Sequence, residues 1–440
     1  MSQAARTASA SGAAATTTSL APGAALAAFG VNLLARVTPP PPPGDAEQTN
    51  VFVSPFSVFQ ALAMVQVGAT PPDADGVQSA VAAEFRTVLG LDLSDDATRT
   101  QFRTLGAELT TANGPVTVLV ANSVWAKGVG DDGGAVKPAY VAALKRDFNA
   151  LAARLPTSAA PINEWVSRST EGKITNLVDD AVVADPLVRV LLINAVYFKG
   201  AWRRKFDIER TVEARFHSGG GPGGDGMPCM MMSMKAKMPV VRMDDGGVAV
   251  ALAYGNATSD MRAVAYLPPI PTPGAGAGAE AGARAGERKF GAAAGTAAAA
   301  ARAMTPAAWA ELSARLSDGR QEQQVHLRLP RFKVEFGAAD LTPSLRAMGL
   351  GAALDRSGGF LAMSDDPNLH LSAVIHKAMA EVNEEGTEAA AATAAVMVTR
   401  SMPAPPLLVS FDRPFLFFVE HAASGAILFA GVINQPGSGV

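Results

Sequence analysis

Five histidines are the first side chains to test for chemistry: His217, His326, His370, His376 and His421. A helical metal site needs two of them a turn apart, and none stands four residues from another. There is no H-E-x-x-H and no G-x-S-x-G elbow. A Ser/His/Asp triad assembled from distant segments stays open, but no local signal points to one. Cys229 is the only cysteine, so the chain has neither an internal disulfide nor a cysteine cluster for zinc. Two stretches match G-x-G-x-x-G, at Gly128/Gly130/Gly133 and within Gly219–Gly226. A dinucleotide site needs a strand before such a match and a helix directly after it, so that phosphate meets the helix N-terminus. Asp131 and Asp132 would repel phosphate at the first match, and the second lies in low-complexity sequence. Both read as turns.

The elements around these residues follow from apolar spacing. Ala25–Val37 has helical periodicity and is ended by Pro39–Pro43. Val51–Gly68 reads as a short strand, a turn and a buried helix. Thr117–Ala126 and Val190–Phe198 are nearly unbroken apolar runs of strand length, suited to burial on both faces. Val248–Ala253, Met261–Leu267, His326–Phe336, Val374–Val382, Leu407–Phe411 and Phe415–Val419 are further strands. His326–Phe336 alternates in part, so one face should be wet. Gly219–Gly226 is a glycine-rich loop, and Pro268–Ala301 is a Pro/Gly/Ala insertion within a domain, expected to lack regular structure.

The totals exclude several classes. With 440 residues, 48% hydrophobic and 18% charged, the chain suits a folded soluble protein, and length alone would allow two or three domains. A net charge of −3 gives no reason to expect nucleic acid or an acidic membrane as partner. No apolar run reaches the ~18 residues of a membrane span. The first 18 residues are Ala/Ser/Thr-rich without the charged start and apolar stretch of a secretory signal. They read as a disordered tail, with an organelle transit peptide as the alternative. A lone cysteine and no signal point to the cytoplasm, with the extracellular space or an organelle kept as alternatives. If the chain were secreted, Asn256-Ala257-Thr258 would be a glycosylation site.

The informative segment is C-terminal. After the strand Val374–Val382 come Glu384-Glu385-Gly386, a run of small residues, Val396–Arg400 and the proline-rich Pro403–Pro406. A long small-residue stretch between strands is usually an exposed loop, although alanine runs are also good helix. Together with the strands that follow, Leu369–Pro436 resembles the strand, hinge, reactive loop and terminal strands of the serpin family. Four earlier segments agree in order. Asn50–Gly68 is similar to the family's N-x-x-x-S-P-x-S segment, with Ser54, Pro55 and Ser57 in place. NEWVSRSTEGKITNL at Asn163–Leu177 and NAVYFKGAWRRKF at Asn194–Phe206 resemble two more of its motifs, and Leu329–Phe336 resembles its L-P-[RK]-F strand. The match runs from about Leu26 to Pro436 apart from the insertion. Arg413 departs from it, standing where the family usually has histidine before Pro-Phe. The stretch from Arg400 to Pro414 is also a few residues longer than usual.

The resemblance implies a mechanism and its residues. Glu384, Gly386, Thr387, Glu388, Ala389, Ala390, Ala391, Ala392 and Thr393 would be the hinge, and residues 384–406 the reactive loop. In the family the bait residue lies fourteen beyond the hinge glycine, which puts the reactive bond at Arg400–Ser401, with Thr399 and Met402 as fallback positions. A bait arginine suits a trypsin-like protease with an aspartate in its pocket, because guanidinium pairs bidentately with carboxylate. An arginine-specific cysteine protease of metacaspase type would also accept it. Ser54, Ser57, Asn194 and His376 match the family's polar cluster beneath the opening sheet, and Trp202 matches the tryptophan at its top. Ordinary satisfied core polarity is the competing reading for Ser54 and Ser57. If the loop enters a sheet as a strand, Thr387, Ala389, Ala391, Thr393 and Ala395 point inward, all small, and Glu388 points outward.

The expected fold is therefore α+β: one serpin domain over residues 19–436, three mostly antiparallel sheets, eight or nine helices and an exposed reactive-centre loop, between tails 1–18 and 437–440. The expected function is irreversible inhibition of an arginine-specific serine protease through a covalent 1:1 complex. The chain would be a monomer and not an enzyme, with no cofactor and no metal, of the arginine-bait kind that resembles plant and algal serpins. A non-inhibitory storage, carrier or chaperone protein on the same fold, and an unrecognised hydrolase, are the alternatives.

Overall fold

The structure is a computed structural model, described for residues 20–40, 48–71, 79–110, 116–127, 136–218, 226–270, 296–355, 359–366, 369–387 and 405–437. The chain opens with α1 (Pro22–Val37), β1 (Val51–Val53), α2 (Pro55–Val67), α3 (Ala80–Leu89), α4 (Asp96–Thr110) and β2 (Val116–Ala126). Then come α5 (Pro138–Phe148), β3 (Leu151–Arg154), α6 (Ala160–Ser169), α7 (Asp180–Ala184), β4 (Val190–Ala201), β5 (Val212–Phe216), β6 (Met227–Arg242), β7 (Val248–Ala253) and β8 (Met261–Leu267). The C-terminal part holds α8 (Ala297–Ala303), α9 (Pro306–Ser317), β9 (Glu322–Pro330), β10 (Phe332–Asp340), α10 (Thr342–Met348), α11 (Gly351–Leu354) and β11 (Leu371–Val382). It ends with β12 (Gly386–Thr387), β13 (Leu407–Ser410), β14 (Phe415–His421) and β15 (Ala426–Ile433).

The class is α+β, as expected. The eight or nine helices become eleven among the described residues, because α7 and α11 are single turns and α8 and α10 about two turns each, too short for a periodicity window to reveal. One sheet has six strands in the order β10-β11-β12-β4-β2-β3, with β11 and β4 also paired directly. The remaining nine strands are linked in the order β1-β15-β14-β8-β7-β6-β9-β13, with β5 beside β6, and divide into two sheets that share β6. Residues 231–239 of β6 pair with β9, and residues 240–242 pair with β7. Most neighbours are antiparallel; β2–β3, β4–β11 and β9–β13 are parallel.

Burial on both faces explains the apolar runs. In β4, Val190, Leu192, Val196 and Phe198 enter the main core beneath the six-stranded sheet. Leu191, Ile193 and Ala195 face the other way, against Ile162 and Val166 of α6. A strand covered by packing on each side has no wet face, so the period of two disappears. A third cluster joins α1, α8 and α9 to the back of β7, β8, β14 and β15. There Arg262 Nε lies 2.7 Å from Glu420 Oε2, and its Nη2 donates to the Ser313 carbonyl at 3.0 Å, fixing α9 to the sheet.

His326–Phe336 is not one strand. It divides at Arg331: β9 belongs to the sheet with β6, and β10 to the six-stranded sheet beside β11. Pro330 ends β9, since it brings no N–H. Within β10 the alternation holds, with Phe332 and Val334 buried and Lys333 and Glu335 exposed. Among the described residues, no helix is long and apolar enough to cross a membrane.

Candidate functional site

Two arrangements converge on the seam between β4 and β11. The first is a row of polar side chains under its middle. β11 and β4 run parallel from Leu371↔Val190 to Met379↔Tyr197, and this register sets His376 beside Asn194. Asn194 in turn is level with Asn122 on β2. The row faces α2, whose start is fixed by Pro55 in its first turn and by Ser54, which accepts from the Ser57 N–H.

The hydrogen bonds determine the protonation of the histidine. The Ser54 backbone N–H donates to His376 Nε2 at 3.1 Å, so Nε2 carries no proton. Nδ1 therefore carries it and donates to Asn194 Oδ1 at 2.6 Å. Asn194 Nδ2 donates to the Ser57 carbonyl at 2.8 Å, and contacts Ser57 Oγ and Asn122 Oδ1. Asn122 Nδ2 donates to Gln60 Oε1 at 3.0 Å, and Ser54 Oγ donates to the Leu428 carbonyl at 2.7 Å. Ser54, Ser57, Asn194 and His376 are fully enclosed. Burial holds the His376 imidazole well below its usual range, at about 3.

The structure thus brings the four expected cluster residues together and adds Asn122 and Gln60. Asn122 was legible in principle, since it stands in a mostly apolar strand, as Asn194 does, and a buried amide needs partners.

The second arrangement lies at the top of the same seam. Beyond Met379↔Tyr197 the two strands separate, and β12 occupies the gap. Thr387 pairs antiparallel with Val382 of β11 on one side and with Gly200 of β4 on the other, while Gly386 pairs with Ala201. Gly386 has φ +143°, and a Cβ there would sit 2.1 Å from the Gly200 carbonyl oxygen, so only glycine fits. Thr387 is 1% exposed, and its Oγ1 lies 2.9 Å from the Tyr254 hydroxyl. Trp202 stacks on Tyr254 with ring centroids 4.4 Å apart and planes at 11°, and its indole N–H donates to the Asn383 carbonyl at 2.9 Å.

Two ion pairs tie down the acids before the glycine. Arg331 Nε lies 2.7 and 2.8 Å from the two Glu384 carboxylate oxygens, and Thr211 Oγ1 also bonds that carboxylate. Lys205 pairs with Glu385. The Glu384 and Glu385 carbonyls accept from the backbone N–H groups of Phe206 and Trp202. Composition did not mark Arg331, Lys205, Thr211 or Tyr254, because each acts through a partner distant in the chain. Glu388, Ala389, Ala390, Ala391, Ala392, Thr393, Thr399, Arg400, Ser401 and Met402 lie outside the described residues.

The other histidines do not assemble with His376. His326 Nε2 lies 2.9 Å from Ser233 Oγ, and His421 Nδ1 lies 2.8 Å from Ser424 Oγ. Among the described residues no group of three His, Cys, Asp or Glu side chains could hold a metal ion. Cys229 is buried in β6, and that burial pushes its thiol up. The seam thus combines a buried hydrogen-bonded row with a two-residue strand seated between β4 and β11.

The family model described as Serpin (serine protease inhibitor) matches residues 24–436. Serpin B10 of Bos taurus is 30% identical over 413 residues, spanning 89% of this chain and 94% of that protein. Leukocyte elastase inhibitor of Bos taurus is 30% identical over 415 residues, spanning 93% and 97%. Serpin48 from the insect Tenebrio molitor superposes with a TM-score of 0.70 at 23% identity over 93% of this chain and 97% of its own, a likeness of fold.

Proposed function

The chain belongs to the serpin family, and from that premise we propose that it is an irreversible inhibitor of trypsin-like, arginine-specific serine proteases. The observation that carries this reading is the seat of Thr387. The chain leaving β11 has turned back into the gap between β11 and β4, and the first threonine beyond Gly386 is already paired on both sides. The residues that follow, Glu388 to Ala395, are small apart from Glu388. Continued down the same gap they would bring alternate small side chains toward the core.

In the proposed reaction the protease serine attacks the Arg400 carbonyl carbon. The Arg400–Ser401 amide bond breaks, Ser401 departs as the protonated amine, and an ester joins Arg400 to the protease. The freed hinge then enters between β4 and β11. Insertion must part His376 from Asn194, so the polar row acts as the clasp that keeps the uncut sheet closed. The complex is one inhibitor to one protease, formed by a monomer whose single domain runs over residues 19–436.

Incubation with trypsin tests the reading. A complex that survives boiling in detergent, with a new N-terminus at Ser401, is the expected result. Cleavage at Arg400 with release of active trypsin would overturn it in favour of a non-inhibitory protein.

A further inference from the structure

A cavity of about 370 Å³ opens beside β13, away from the seam. All four residues of β13 line it, and the opposite wall comes from the ends of β6, β7 and β8. Its volume is at the small end of the ~300–1,000 Å³ range of ligand pockets. Val248, Leu267 and Leu407 give it an apolar floor, and Ile270, 55% exposed, stands at its rim.

The polar groups are what make it more than a crevice. Arg242 and Arg413 both line it. The Arg413 side chain is 16% exposed; its Nη2 donates to the Pro268 carbonyl at 2.6 Å, and its nearest acid is Asp412 at 3.9 Å, beyond hydrogen-bond reach. Two cations and one carboxylate, Asp412, thus line the cavity. His217 and Ser410 complete the wall. A carboxylate can accept from both guanidiniums, while its apolar tail takes the floor.

We propose that this cavity is a binding site for a small amphipathic carboxylate, with Arg242 and Arg413 on the carboxylate and Leu267 and Leu407 on its hydrocarbon part. The site is independent of the protease reading, since it shares no residue with the hinge, the polar row or the reactive bond.

Calorimetric titration of the full-length protein with octanoate, octanol and octylammonium tests it. Octanoate should saturate one site, with octanol about tenfold weaker and octylammonium not bound, the scale of one charge-assisted hydrogen bond. Arg242→Gln and Arg413→Gln should each weaken octanoate about tenfold and leave octanol unchanged. Arg413→Gln loses its bond to Pro268; if it does not fold, the exposed Arg242→Gln decides alone. Octanoate binding that is no tighter than octanol, that never saturates, or that is unchanged in Arg242→Gln overturns the site.

Discussion

At the scale of single residues, His376 makes the strongest prediction. Its folded value of about 3 lies below the ordinary 6.5, so the folded protein binds fewer protons than the unfolded chain between those limits. Its contribution to stability is fully present above about pH 6.5 and is lost as pH falls through that window, by up to about 1.4 kcal/mol per pH unit. Protonation at Nε2 would set an N–H against the Ser54 N–H that now donates to it. Denaturant unfolding of the parent and of His376→Gln across pH 7 to 4 is the measurement. The parent should lose stability more steeply by up to one proton, and equal slopes would exclude the histidine as the source. Much of this row was legible: Ser54, Ser57, Asn194 and His376 were all named from motif resemblance. Asn122 and Gln60 were missed because one amide in an apolar run states its need for a partner without saying which partner.

At the scale of elements, β12 is the shortest strand and the most informative. Periodicity cannot find a two-residue strand, nor say that the gap between β4 and β11 begins after Tyr197. Glycine and threonine after paired glutamates were visible as a hinge only through resemblance, and the structure supplies the reason for the glycine in the Gly200 carbonyl behind it. The division of His326–Phe336 has a similar cause. Alternation reports which face is wet, not which sheet a strand joins, and Arg331 at the break is committed to Glu384. The seat of Thr387 also predicts a mutant. In Thr387→Arg a guanidinium would face Tyr254 in an enclosed gap, and a buried unpaired charge is costly. Insertion should stall there while cleavage at Arg400 continues, so the variant should be consumed as a substrate. The moles of inhibitor needed per mole of trypsin silenced should rise severalfold; an unchanged ratio would mean that Thr387 does not lead the insertion.

At the scale of the whole molecule, the proposed trap requires a folded protein that keeps a sheet it could improve. The described β4–β11 pairing is parallel over Leu371–Met379, and the gap above it holds the two residues of β12, which could lengthen only if that pairing parts. Each new ladder hydrogen bond contributes ~0.5–1.5 kcal/mol net, and over about a dozen residues, with burial of the inward side chains, the sum exceeds ~10 kcal/mol. While residues 388–404 join Thr387 to the strand at Leu407, that gain is out of reach, because β13 is held in a different sheet, parallel to β9. Under the proposed mechanism the uncut state would therefore persist kinetically, held by the polar row and by the Arg331–Glu384 and Lys205–Glu385 pairs. A cut at the proposed Arg400–Ser401 bond would remove the tether to β13. The cut protein should then unfold at a temperature higher than the intact one by more than about 10 °C. Calorimetry on both forms, with the cut made by a protease that escapes trapping, measures it. If the two forms melt together, the chain beyond Thr387 does not enter the sheet, and the proposed trap has no source of work.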